Sequence, residues 1–217
     1  MGELLKVTDL SYRHRHSSDF SLHHLDLALG AGEAALILGN SGSGKSTLIE
    51  ILAGIRKPTS GKITRIQEWV MIPENFNLYP DLTVGENLDC FQRLNGVTIQ
   101  IDNLLNRLGL FNFKKTPARK LTYGHHKMLQ LAVALTYHFS FLLLDDFNRG
   151  LDQNQNNIFL ALLNELKKSG KGIILATSQA EPIEFFNQGY LLDQGKLISN
   201  GSQAHILEHN DEEVSNL

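Results

Sequence analysis

The run Gly39-Asn40-Ser41-Gly42-Ser43-Gly44-Lys45-Ser46-Thr47 has the residue types and spacing to grip a polyphosphate, G-x-x-x-x-G-K-[ST]. Its glycines let the backbone curl until successive N–H groups point at phosphate oxygens. Lys45 brings a cation to the β- and γ-phosphates. The Ser46 hydroxyl is a ligand for Mg2+, and Thr47 faces the α-phosphate region. Further along, Phe141-Leu142-Leu143-Leu144-Asp145 is an apolar strand that ends on a carboxylate, suited to hold Mg2+ through water. These two patterns imply a nucleotide polyphosphate and Mg2+ as the bound species. No N-K-x-D guanine reader is present, but a phosphate loop alone leaves kinases, GTPases and ATPases open.

The elements that must position these residues follow from periodicity. Leu4–Tyr12 and Phe20–Leu29 alternate apolar residues as strands do, with a turn at Ser17–Asp19. Ala34–Leu38 is an apolar strand that runs into the glycine loop, and a helix is expected from Lys45 to about Gly54. Strand, glycine loop and helix open a βαβ unit, and the helix N-terminus adds its positive dipole to the phosphate site. Thr83-Val84-Gly85-Glu86 fits a capping box for a helix to about Leu94. Helical signals return near Asn103–Leu108 and Gly124–His138. A buried strand is expected at Phe139–Leu144, and Asp152 caps a helix that reaches Lys168. Strands follow at Gly172–Ala176, Gln188–Leu192 and Lys196–Asn200, then a short helix from Ser202 and an acidic tail. The stretch about 82–138 lacks strand signals and is expected as a helical subdomain inserted into an α/β core.

Composition narrows the class. With 217 residues and 42% hydrophobic content, the chain can bury a core without staples. A net charge of −3 argues against a general nucleic-acid binder. Cys90 is the sole cysteine, so no internal disulfide forms, and a reducing compartment fits. No apolar run approaches a membrane span, and the first residues lack a signal-peptide core. The expectation is a cytoplasmic chain, for which any membrane work needs a partner.

With the phosphate loop and the strand ending at Asp145, further motifs stand in order. They are Pro73-Glu74, Leu78–Leu88, Leu121-Thr122-Tyr123-Gly124-His125, Asn148-Arg149-Gly150-Leu151-Asp152, Ile174–Ser178 and Gly189–Leu197. In these the chain resembles the ATP-binding cassette family along essentially its whole length. The resemblance implies a single cassette over 1–217. Its ATP-binding core would be a mixed α/β P-loop NTPase sheet with an N-terminal antiparallel part, over about 1–81 and 139–217. The inserted helical subdomain would cover about 82–138. It also implies that Tyr12 stacks on adenine and that Thr122, Tyr123, Gly124 and His125 form the signature, which contacts the nucleotide of a facing cassette. Asp152 marks the D-loop. Two cassettes, identical or different, meet head to tail around two MgATP, and an integral membrane subunit converts closure into transport.

Several family positions carry other residues here. Glu74 stands for the Q-loop glutamine; its carboxylate binds Mg2+ but repels phosphate. Asp146 stands for the glutamate that polarises the attacking water, with one methylene less reach. Displacing a catalytic group by about 1 Å costs on the order of 10²-fold. Ser178 stands for the switch histidine and carries no charge to the γ-phosphate. In the signature, Tyr123 replaces a glycine. If that position needs φ > 0, Tyr would pay about 1–2 kcal/mol. His125 replaces glutamine, and Met128 stands where arginine is frequent. Near-normal ATP binding and slow hydrolysis are expected.

The remaining features read as packing or surface. His14, His16, His23 and His24 are expected on solvent-facing strand positions rather than as metal ligands, and Cys90 as a buried small hydrophobe. Segment 85–96 is similar to exporter-type relatives. The competing reading is a non-transport, nucleotide-gated scaffold with little hydrolysis.

Overall fold

The computed structural model describes residues 2–15, 19–66, 68–74, 76–179 and 185–201. Expectations for the Ser17–Asp19 turn, His16 and the helix from Ser202 fall outside these residues in whole or in part. Two sheets organise the described chain. The first is antiparallel, in the order β2-β1-β4, from β1 (Glu3–Arg13), β2 (Phe20–Gly30) and β4 (Ser60–Arg65). The second has the order β5-β6-β7-β3-β8-β9. It comprises β3 (Ala34–Leu38), β5 (Trp69–Ile72), β6 (Phe141–Asp145), β7 (Gly172–Thr177), β8 (Gln188–Asp193) and β9 (Lys196–Gly201). All its neighbours are parallel except β8 and β9, which form an antiparallel hairpin. The expected mixed α/β core with an antiparallel N-terminal part is the observed fold.

Strands β3, β6 and β7 are buried at every position, as strands covered on both faces must be. Their unbroken apolar runs follow from that double cover. On one side lie α1 (Lys45–Leu52) and the antiparallel sheet, sealing a core with Leu10, Leu27, Ile37, Ile51 and Leu143. The other side takes α4 (Tyr123–Ala134) and α5 (Gln153–Lys168), and a larger core runs on into α2 (Val84–Leu94) and α3 (Ile101–Arg107).

The capping box holds as read. Thr83 Oγ1 accepts from the Glu86 N–H at 3.2 Å, and Glu86 accepts from the Thr83 N–H at 2.8 Å. Asp152 caps α5 in the same reciprocal way with Gln155. Four details differ from the sequence reading. Helix α1 ends at Leu52, and Gly54 at φ +74 turns the chain away. Strands β4 and β5 occupy a stretch with no strand expectation, and in β5 Trp69 pairs with Phe141. Helix α4 stops at Ala134, short of His138, and Cys90 is half-buried rather than buried. Among the described residues, no helix is long and apolar enough to cross a membrane.

Candidate nucleotide site

Sheet order assembles the site. Strands β5, β6, β7 and β3 lie side by side and parallel, so their C-terminal ends form one edge. Glu74 lies just past β5, Asp145 ends β6 with Asp146 next, Thr177 ends β7 before Ser178, and the phosphate loop leaves β3. Residues distant in sequence thus share the edge where α/β sheets bind ligands. They enclose a cavity of about 220 Å³ lined by Ser41, Gly42, Gly44, Lys45, Ser46, Thr47, Glu74, Asp145, Asp146, Arg149 and Ser178. Gly39 and Asn40 line a smaller neighbouring recess with Ser178. Tyr12 and the signature residues are not in this lining.

The loop needs glycine at its end. Gly44 sits at φ +109 as the N-cap of α1, and a Cβ there would lie 2.8 Å from Leu22 Cδ2. Lys45, 8% exposed, donates from Nζ to the Gly39 and Asn40 carbonyls at 2.8 and 2.9 Å. Burial lowers its pKa, while Asp146, Asp145 and Glu74 oppose that fall. The Asp145 carboxyl is raised by burial first; a hydrogen bond from Ser46 pulls it back. Ser46 and Asp145, two of the three side chains assigned to Mg2+, therefore lie next to each other.

Asp146 has the left-handed backbone, φ +48, that Asp tolerates better than most residues. Its N–H donates to the Ala176 carbonyl at 2.7 Å, which ties it to β7. Its carboxylate accepts from Thr177 Oγ1 at 3.2 Å and lies 3.6 Å from an Arg149 guanidinium nitrogen. Ser178 is exposed in the cavity wall. Its neighbour Gln179 accepts from Asn148 Nδ2 at 3.0 Å, so the segment after β7 is bound to the D-loop.

The signature opens α4. Thr122 is its N-cap, with its oxygen 2.6 Å from His125 Nδ1, and the His125 ring packs 4.2 Å from Phe113. Tyr123 is the first residue of α4 and is absent from the left-handed non-glycine positions, so the positive φ on which its cost depended is not present. A helix start needs no positive φ. The left-handed residue in this region is Gly150, φ +78, and a Cβ there would meet the Tyr123 ring at 2.7 Å. Tyr12 stands half-buried on β1, with its hydroxyl 3.3 Å from Arg56 and its ring edge-on to His14. Among the described residues, no group of three or more His, Cys, Asp or Glu side chains is set to hold a metal ion.

Sequence reasoning missed Lys127. It is 2% exposed on α4, donates to the Asp146 carbonyl at 2.5 Å, and lies 5.2 and 5.6 Å from the Tyr123 and Phe147 ring centres. Burial pushes its pKa down to about 8, against the pull of Asp146 and Glu74. The unfolded lysine titrates at 10.5. Below about 8 both states are charged and the native state bears the full cost of burial. From there to 10.5 the unfolded state binds more protons, so stability rises with pH. The cost below about 8 is on the order of 3 kcal/mol, which the lysine's charge-assisted hydrogen bond, worth about 1.5–3 kcal/mol, offsets in part. Lys127→Met is therefore expected to raise Tm by a few degrees at pH 7 and to lose that advantage near pH 10. Thermal unfolding of both proteins at the two pH values checks it.

A profile of the ABC transporter family matches residues 22–148, more than half of the chain and inclusive of the phosphate loop, Glu74, the signature and Asp146. This chain belongs to the ABC transporter family. It is an ABC-type ATPase domain. An uncharacterised ABC transporter ATP-binding protein of Methanocaldococcus jannaschii is 31% identical over 191 residues, which cover 85% of this chain and 73% of that protein. An ABC transporter ATP-binding protein of Bacillus anthracis is 28% identical over 95% of this chain, and the chain spans 40% of that relative's length. Among solved structures, cbiO1 from Clostridium perfringens, part of the ABC transporter complex cbiONQ, superposes with a TM-score of 0.81. The two share 26% identity over 97% of this chain and 92% of that one.

Proposed function

We propose that this ABC-type ATPase domain drives a separate integral membrane subunit, closing head to tail on a second cassette around MgATP and hydrolysing slowly. The carrying observation is the cavity that joins the phosphate loop to Glu74, Asp145, Asp146 and Ser178. Gly39–Thr47 bind the phosphates, Lys45 leaving its two carbonyls for them, and Tyr12 stacks on the base. Ser46 and Asp145, already hydrogen-bonded, are oxygen donors suited to Mg2+, with Glu74 nearby and phosphate and water completing the shell. Bound there, Mg2+ neutralises charge on the phosphates. Asp146 takes a proton from the water that attacks the γ-phosphorus. Thr122 through His125 offer the N-terminus of α4 to the partner's nucleotide, and Asp152 holds the D-loop against α5. Residues about 82–138 act as the helical subdomain over the core at about 1–81 and 139–217.

Slow hydrolysis is supported by Asp146, whose short carboxylate is held by Thr177 and Arg149. Single-turnover hydrolysis at ordinary family rates would refute it. The cassette works on the cytoplasmic face of a membrane through its partner, and segment 85–96 favours export. The altered catalytic positions favour one second reading, a nucleotide-gated scaffold. Isolation of the native complex decides: an integral membrane subunit in it supports transport, and a soluble partner alone supports the scaffold.

A further inference from the structure

We infer that Arg149 is a second phosphate-binding cation of this site, exchanging the Asp146 carboxylate for the γ-phosphate when ATP enters. The inference rests on the phosphate-site reading and adds a residue to it. The cavity wall holds three carboxylates, Glu74, Asp145 and Asp146, and two cations, Lys45 and Arg149. A polyphosphate entering that wall meets repulsion from three sides. Ser178, also in the lining, carries no charge to offset it. Lys45 must first leave the Gly39 and Asn40 carbonyls that its ammonium holds before it can meet a phosphate, and one cation does not balance three carboxylates. Arg149 alone in the lining has a cationic head on an exposed side chain, at 62% relative exposure.

The backbone around Arg149 is pinned while its side chain is exposed. On one side Asn148, 6% exposed, donates to Gln179 at 3.0 Å. On the other, Gly150 turns at φ +78 with the Tyr123 ring packed on it. Its present contact is loose. The 3.6 Å separation from Asp146 exceeds the roughly 2.7–2.9 Å of a strong charge-assisted bond. A guanidinium fork fits phosphate oxygens in pairs. A γ-phosphate in the cavity offers those oxygens, and taking them releases one of the two side-chain contacts on Asp146. Nucleotide binding and liberation of the base are then one event.

An arginine that reaches the γ-phosphate adds to ATP affinity and not to ADP affinity, a difference that a merely structural role does not produce. The experiment is calorimetric titration of the purified chain with ATP and with ADP, both with Mg2+. The proteins are the unaltered chain, Arg149→Met, Arg149→Lys and Lys45→Ala. Arg149→Met is expected to weaken ATP about tenfold and ADP less than about twofold, with Arg149→Lys recovering part of the loss. Equal weakening of ATP and ADP, or of neither, overturns the assignment of Arg149. If the unaltered chain binds neither nucleotide, or Lys45→Ala binds both as well as the unaltered chain, the phosphate-site reading fails and takes this inference with it.

Discussion

Lys45→Ala is expected to weaken ATP binding by about two to three orders of magnitude. The ammonium stands 2.8 and 2.9 Å from the Gly39 and Asn40 carbonyls, at the mouth of α1 and in the wall of the phosphate cavity. Burial disfavours its charge, but Asp145, Asp146 and Glu74 resist the loss of its proton. A cation held in that balance makes charge-assisted bonds worth about 1.5–3 kcal/mol each, and two such bonds to phosphate amount to the stated loss. Alanine keeps the backbone of α1 intact, so the change should appear in affinity and not in fold. Equilibrium titration with ATP, beside a circular dichroism spectrum, measures it. An affinity within a few-fold of the unaltered chain would remove the phosphate loop from the account.

Asp146→Asn is expected to lower single-turnover hydrolysis by about 10²-fold while leaving ATP affinity within a few-fold, because a positioned general base contributes about 10²–10⁴. Asparagine suits the test for a conformational reason. The backbone at Asp146 is left-handed, φ +48, and Asn, like Asp, tolerates that region. The Ala176 and Lys127 contacts are made by the backbone of Asp146, so they persist in the variant. What disappears is the capacity to take a proton. Longer glutamate reaches further into the cavity but is a poorer fit to the left-handed backbone, which gives a physical reason for aspartate here. Rates measured with enzyme in excess over ATP separate the chemical step from product release. Unchanged turnover would assign the base elsewhere.

Much of this site is written in contiguous residues. The glycine spacing from Gly39 to Lys45, the apolar run into Asp145, the Thr83/Glu86 capping box and the Asp152 cap each specify their own local geometry, and each formed as read. Short-range hydrogen bonds and backbone preferences decide such features, so a window of a few residues contains the needed information. Strand β5 was not legible, because four residues with one neighbour, β6, owe their conformation to a partner distant in sequence. The same holds for the strain. Tyr123 would be costly only at a positive φ, yet it begins a helix, while in the cavity wall the non-glycine residue with a left-handed backbone is Asp146, where β6 turns against β7.

The sequence by itself determined that a phosphate loop, an Mg2+-binding carboxylate strand and a family order of motifs exist in this chain. Tertiary structure alone decided that Glu74, Asp146, Arg149 and Ser178 face one cavity with Lys45, that Lys127 is buried beneath Asp146, and that Arg149 holds that carboxylate. The reason is geometric. Parallel strands β5, β6, β7 and β3 end on one edge in an order that the chain order does not reveal, and only hydrogen-bond pairing across the sheet fixes which residues become neighbours there.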